Sequence, residues 1–269
     1  MAQGHRHGFR PELPAGAVAN GVGSIQQASI IRKASGLASS PMITLRKLTK
    51  VYRTAERETT GLREIDLDIL PGEFVAVMGP SGCGKSTLLN IVGMLDSPTS
   101  GEYWFDSENI ARFSESQVSR LRRKNFGFVF QSFNLIDDLN IEENVHLALV
   151  YHRDISARER RRCVKDALER MKIDHRAHHM PQQLSGGQQQ RVAIARAIVS
   201  RPNVILADEP TGNLDSENGE AVMQLLMELN ADGTTVLMAT HSSSYADCAH
   251  HVVHMVDGAI SRESVRQLI

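Results

Sequence analysis

Three cysteines in 269 residues are too few and too widely spaced to staple a fold. Cys83, Cys163 and Cys248 form no C-x-x-C pair, which leaves neither a disulfide framework nor a zinc ribbon and suits a reducing compartment. No apolar run approaches the ~20 residues that a membrane-spanning helix needs, and the start of the chain lacks a secretory hydrophobic region. Any contact with a membrane is therefore expected through a partner or through the surface. An excess of one charge is lacking too: a net charge of −1 argues against a strong non-specific nucleic-acid binder. His175, His178 and His179 lie close together but have no thiolate or carboxylate at metal-binding spacing, and they read as solvated histidines. What is present is ordinary globular composition, 41% hydrophobic and 23% charged, in a length that fits one compact domain or two small ones.

Residues 1 to about 40 are rich in Gly, Ala, Ser and Pro, carry Arg6, Arg10, Arg32 and Lys33, and show no sustained period. They read as a flexible N-terminal arm, either a plain tail or a docking segment. Regular structure is expected from Ile43-Thr44-Leu45-Arg46, which alternates as a strand does, and again between Leu62 and Leu70. Glu102 to Asp106 reads as a short, antiparallel strand, and Phe126 to Phe130 is a further strand candidate. Residues from about 140 to 200 read as mainly helical, with Ser156 a candidate cap and Val164, Leu168 and Met171 on one face. Val204 to Ala207 and Thr235 to Ala239 are unbroken apolar runs, as expected of parallel strands buried on both sides. Between them Val222, Leu225, Leu226 and Leu229 mark an amphipathic helix that ends at Asp232-Gly233, with Met223 and Met227 suited to core or partner packing. The alternation predicts an α/β sheet with a helical insertion and active groups at the carboxyl ends of its strands.

The chemistry concentrates in Gly79-Pro80-Ser81-Gly82-Cys83-Gly84-Lys85-Ser86-Thr87. It follows the apolar strand Phe74 to Met78 and opens the helical run Leu88-Leu89-Asn90-Ile91, the context that gives the G-x-x-x-x-G-K-[ST] pattern its meaning. Glycines let successive N–H groups converge on one anion, and the helix dipole adds to the attraction. Lys85 is placed to reach the β- and γ-phosphates and the Ser86 hydroxyl to coordinate Mg²⁺. Cys83 reads as a small side chain tolerated within the loop, or as an oxidation-sensitive position. The strand 204–207 ends in Asp208-Glu209, where Asp208 suits magnesium and Glu209 suits proton abstraction from a water. Leu184-Ser185-Gly186-Gly187-Gln188 precedes a further amphipathic run, and a hydroxyl and two glycines before a helix make a second anion platform. One nucleotide does not need two such platforms in one chain. The economical reading is that each platform closes on the nucleotide of a partner copy.

With these residues in place, the sequence resembles the nucleotide-binding subunit of ATP-binding cassette (ABC) transporters over about residues 42 to 261. Further motifs join the loop: Gln131 in Phe130-Gln131-Ser132 stands at the Q-loop, Asp208-Glu209-Pro210-Thr211 ends the Walker B strand, Asn213-Leu214-Asp215-Ser216 matches the D-loop, and His241 the switch histidine. Tyr52 stands where the family carries an aromatic that stacks on adenine; a plain strand aromatic is the other reading of that residue. The resemblance implies a P-loop NTPase core of ABC type, a mixed sheet flanked by helices, with an inserted helical signature subdomain and an antiparallel β part. It places the α/β core at 42–135 and 198–261 and the helical subdomain at 136–197, within one ATPase domain, 41–269.

The same resemblance implies ATP and Mg²⁺ as ligands. Glu209, His241, Gln131 and Lys85 would carry catalysis; Ser86, Gln131 and Asp208 would hold the metal. The nucleotide would be held by Tyr52, the loop 79–87, Gln131, the signature residues Ser185, Gly186, Gly187 and Gln188 of the opposite copy, and Asp215. Implied partners are a second copy and separate transmembrane permease subunits, with cargo touching the permease only, no direct nucleic-acid binding, and a location at the cytoplasmic face of the inner membrane. The stretch 132–150 would form part of the groove for a permease helix, with Phe133, Leu135, Ile136 and Leu139 as apolar contacts. Leu206 to Ser216 and Leu121 to Gln131 resemble the branch of lipoprotein-release systems and macrolide or antimicrobial-peptide exporters. Two departures stand out: the long N-terminal arm, and Ser242-Ser243-Ser244 after His241. Competing readings are a soluble cassette ATPase of DNA repair or translation, and a structural or signalling dimer that binds ATP. The charge run Arg120, Arg122, Arg123, Lys124 reads as a solvated face, with association with anionic lipids as its other possible role.

Overall fold

The computed structural model describes residues 40–54, 57–152 and 154–265. All but the last residue of the expected N-terminal arm, 1–40, lies outside the described residues. Ten strands and seven α-helices are described. The strands are β1 (Ile43–Arg53), β2 (Glu58–Ile69), β3 (Phe74–Met78), β4 (Ser100–Phe105), β5 (Glu108–Asn109), β6 (Phe126–Phe130), β7 (Val204–Asp208), β8 (Thr235–Thr240), β9 (His251–Val256) and β10 (Ala259–Val265). The helices are α1 (Lys85–Val92), α2 (Glu115–Asn125), α3 (Ile141–His146), α4 (Ala157–Arg170), α5 (Gly186–Ile198), α6 (Ser216–Ala231) and α7 (Ser243–Ala246).

Two sheets result. A four-stranded sheet runs β2-β1-β4-β5 with antiparallel pairing throughout, and a six-stranded sheet runs β10-β9-β3-β8-β7-β6. In the larger sheet only the β9–β10 pair is antiparallel. The unbroken apolar runs have a direct explanation: each inner strand sends alternate residues into two different cores. Phe74 and Ala76 face one core with Ile205, Ala207, Val236 and Met238, which α3 to α7 cover. Val75 and Val77 face the other with Val204, Leu206, Leu237 and Ala239, which α1 and the antiparallel sheet cover.

Local rules set the ends of the elements. Ser156 caps α4 by accepting from Glu159 N at 3.2 Å, and Asn140 caps α3 with a reciprocal capping box to Glu143. Val164, Leu168 and Met171 are all buried, as their spacing predicts. Met223 is buried, whereas Met227, one turn further along α6, is exposed. The strand expected at 102–106 stops at Phe105, because Asp106 and Ser107 take φ +47° and +67° in the turn to β5. The helix expected from Leu88 begins three residues earlier, directly after Gly84.

Register aligns the functional ends. Met78 pairs with Thr240, Ala239 with Asp208, and Asp208 with Phe130. The residues that follow β3, β8, β7 and β6 therefore leave the larger sheet along one edge.

Candidate functional site

The phosphate loop joins β3 to α1 at that edge. Gly79 and Gly84 are fixed by close approach: a Cβ on Gly79 would stand 2.3 Å from Met255 O, and one on Gly84, at φ +104°, would stand 2.4 Å from Gly61 O. Gly258 N donates to Cys83 O at 3.0 Å, so the turn between β9 and β10 also holds the loop. Cys83 is buried, its thiol in the space a Gly79 side chain would fill. Lys85 is only 6% exposed, and Nζ donates to Gly79 O at 2.9 Å and Pro80 O at 3.1 Å. These bonds fold the ammonium back over its own loop. Beside the loop, Tyr52 is half-exposed, lies against Gly61, and has Lys50 Nζ 5.0 Å from its ring centroid.

The end of β7 supplies the carboxylates. The Ser86 hydroxyl lies close enough to the Asp208 side chain to favour its charged form. Asp208 Oδ1 is buried and, among the described residues, has no hydrogen-bond partner. Burial, more than the adjacent Glu209 charge, pushes the Asp208 carboxyl above its ordinary value, although the Ser86 hydroxyl and Lys85 pull the other way. Glu209 takes φ +46°, and its N–H bonds Ala239 O at 3.0 Å. That turn brings Glu209 Oε1 to 3.9 Å from Lys85 Nζ and Oε2 to 3.2 Å from His241 Nδ1. Lys85, Ser86, Asp208, Glu209 and His241 thus share one site.

The remaining predicted residues lie around a second centre. Gln131 Nε2 donates to Asn213 Oδ1 at 3.1 Å and Asn213 Nδ2 returns a bond to Gln131 O at 3.0 Å. Ser185 caps α5 in a capping box with Gln188. Gly187 presses on α6, where a Cβ would stand 2.1 Å from Asn218 Oδ1. Asn218 in turn bonds both carboxylate oxygens of Asp215, and these bonds hold Asp215 below the usual carboxylate range. Among the described residues no hydrogen bond joins Ser185, Gly187 or Gln188 to the phosphate loop.

Sequence reasoning missed the links between these parts. Asn213, quoted only as part of a motif, is the tether of Gln131. Gln190 is fully buried and donates to Pro210 O at 2.6 Å, tying α5 to the segment after Glu209. Arg196, on the last turn of α5, donates to Asn134 O and, at 2.7 Å, to Phe133 O. Phe133 and Asn134 hold left-handed φ values of +59° and +51°. Burial pulls Arg196 below the ordinary arginine value, and among the described residues it has no ion pair. For Arg196 the available signal was one polar residue within the apolar run 192–198; Gln190, beside two other glutamines, gave none. His178 Nδ1 stands 3.7 Å from Glu142 Oε2, and His179 Nε2 stands 2.9 Å from Arg176 Nη1.

A glycine loop between a parallel strand and a helix, with a lysine, a hydroxyl and a strand-end Asp-Glu pair beside it, defines a P-loop nucleotide-binding protein. Residues 62–212 match the model of the family described as ABC transporter, and the chain belongs to that family as an ATP-binding cassette. It is 48% identical over 219 residues to the uncharacterized ABC transporter ATP-binding protein YknY of Bacillus subtilis (strain 168), which covers 81% of this chain and 95% of YknY. It is also 48% identical over 223 residues to the macrolide export ATP-binding/permease protein MacB of Azoarcus sp. (strain BH72), which covers 83% of this chain. That match spans 34% of MacB, so the chain corresponds to about a third of such relatives. Among solved structures, the dimeric post-hydrolysis state of the ATP-binding cassette MJ0796 with ADP and Pi, a protein of Methanocaldococcus jannaschii, is similar at TM-score 0.78 and 44% identity. That likeness covers 85% of this chain and all of the other.

Proposed function

We propose that this cassette hydrolyses ATP as a head-to-tail homodimer and drives conformational change in separate transmembrane permease subunits at the cytoplasmic face of the inner membrane. The process served is export, lipoprotein release or mechanical transmission to the periplasm, in line with the export role named for MacB. The observation that carries the catalytic part is the convergence of Glu209, Lys85 and His241 within 3.9 Å of one another's charged atoms along the path Lys85–Glu209–His241.

The donor set fits magnesium. Asp208 Oδ1 is a buried oxygen without a partner among the described residues, and Ser86 adds a hydroxyl to the same carboxylate. Hard oxygen donors of this kind, with Gln131 as a third, would hold the ion. Magnesium, when bound, offsets charge on the phosphates. Lys85 supplies a positive charge fixed by its own loop carbonyls, ready to exchange them for phosphate oxygens. Glu209 accepts the proton of the attacking water, and His241, largely exposed, orients the carboxylate and is free to turn toward the γ-phosphate. Tyr52 and the loop 79–87 hold the nucleotide. Ser185, Gly186, Gly187 and Gln188 present α5 to the nucleotide of the opposite copy, and Asp215 lies behind them at the start of α6.

Glu209→Gln tests the assignment. Nucleotide binding is expected to persist while turnover falls by about 10²–10⁴, the usual contribution of a positioned base, and a nucleotide-bound dimer should accumulate. Turnover equal to that of the parent would remove Glu209 from the role.

A further inference from the structure

A cleft of about 660 Å³ lies on the surface between α2 and the residues leading into α4. Arg120, Arg123 and Lys124 line it from α2, facing Tyr151, His152 and Asp154. Asp154 is the single carboxylate of the lining, and among the described residues the three cations make no ion pair. Arg160 Nη2 donates to His152 O at 2.7 Å, which brings Arg160 of α4 beside the same cleft.

Helix stability explains only part of this charge. The cations of α2 lie near its C-terminus, where the macrodipole favours them. Arg160 lies in the first turn of α4, where the dipole opposes it. Arg120 and Lys124 also stand at i,i+4 on one helix and repel each other. A chain of net charge −1 therefore concentrates cations here against local electrostatic cost. Among them Tyr151 is 68% exposed and Val150 41%. An aromatic with a polar tip next to an aliphatic and a ring of cations is the chemistry of a water–membrane boundary. Burial, followed by the Arg123 charge, keeps the His152 imidazole below its ordinary value, so it adds a polar edge without further charge.

We propose that this cleft binds the phosphates of anionic phospholipid headgroups, with Tyr151 and Val150 at the acyl boundary, so that the cassette touches the bilayer directly. Nucleic acid is disfavoured, since a strand groove uses successive exposed aromatics for stacking and the cleft lining offers only Tyr151 and the part-buried His152. The contact needs no permease, so its failure would leave the proposed function standing.

The test is flotation of the full chain, without permease, with vesicles of phosphatidylcholine alone or mixed with phosphatidylglycerol. Binding is expected on the anionic vesicles only and should weaken as salt rises. At roughly fivefold per basic residue near a charged surface, the triple variant Arg120→Gln, Arg123→Gln, Lys124→Gln should partition about a hundredfold less well. Tyr151→Ser should give a smaller loss at all salt concentrations, and ATP hydrolysis should be unchanged in both. Equal partition onto neutral vesicles, parental binding by the triple variant, or tighter binding to duplex DNA than to anionic vesicles would each overturn the proposal.

Discussion

Glu209 occupies a backbone conformation that glutamate avoids, at φ +46°, and the strain is of order 1 kcal/mol. The bond from its N–H to Ala239 O holds it there, and the return is direction: the carboxylate leaves the sheet edge toward Lys85 and His241. Asp208, one residue earlier, is strained in another sense, as a charge without enough partners. Its native carboxyl keeps its proton to a higher pH than the 3.8 of an unconstrained aspartate, so folding takes up a proton between the two values. Stability accordingly falls as pH rises through that window, and the full penalty persists above it. Asp208→Asn should therefore raise the melting temperature of the nucleotide- and metal-free chain at pH 7, and the gain should vanish as pH approaches 3.8. A pH series of thermal melts checks this. A lower melting temperature for the variant at pH 7 would mean that the Ser86 and Lys85 contacts outweigh burial.

At the scale of elements, α5 acts as a strut. Its first turn carries the proposed second anion platform, Gln190 grips the segment after Glu209, and Arg196 fastens the left-handed pair that follows Gln131. Arg196→Ala removes two hydrogen bonds from a charged donor, each worth about 1.5–3 kcal/mol. The melting temperature should fall, and amide exchange should quicken at residues 132–135 before it does in β7. Uniform quickening would mean that Arg196 supports the fold generally and not that loop. None of these links could be read in the sequence. In Gln188-Gln189-Gln190 nothing local separates the capping glutamine from the fully buried one, because the distinction depends on a segment twenty residues away. The strands of the larger sheet were legible because burial on two faces leaves unbroken apolar runs. The glycine loop was legible because phosphate chemistry tolerates few alternatives. The start of α1 and the end of β4 were less so, since one positive-φ glycine sets the first and two positive-φ residues set the second.

For the whole molecule, the question is which nucleotide the proposed second anion platform serves. Within one chain Gly187 meets Asn218, and no described hydrogen bond connects Ser185 with the phosphate loop. If each platform serves the other copy, two defective chains should repair each other. A Lys85→Ala chain mixed in equal amount with a Ser185→Arg chain forms heterodimers with one intact composite site, and random pairing gives about a quarter of the parental activity. Each variant alone should be nearly inactive. Steady-state ATPase measured against mixing ratio reports the result, and activity that stays near zero at every ratio would exclude the shared-site arrangement.

The loop 79–87 is gripped from outside at three places: by Gly61 O against Gly84, by Met255 O against Gly79, and by the Gly258–Cys83 hydrogen bond. Strands from both sheets therefore cast its shape in advance. A mould that already exists asks little ordering entropy of the ligand that fills it, which leaves the free energy of triphosphate capture available for drawing two cassettes together.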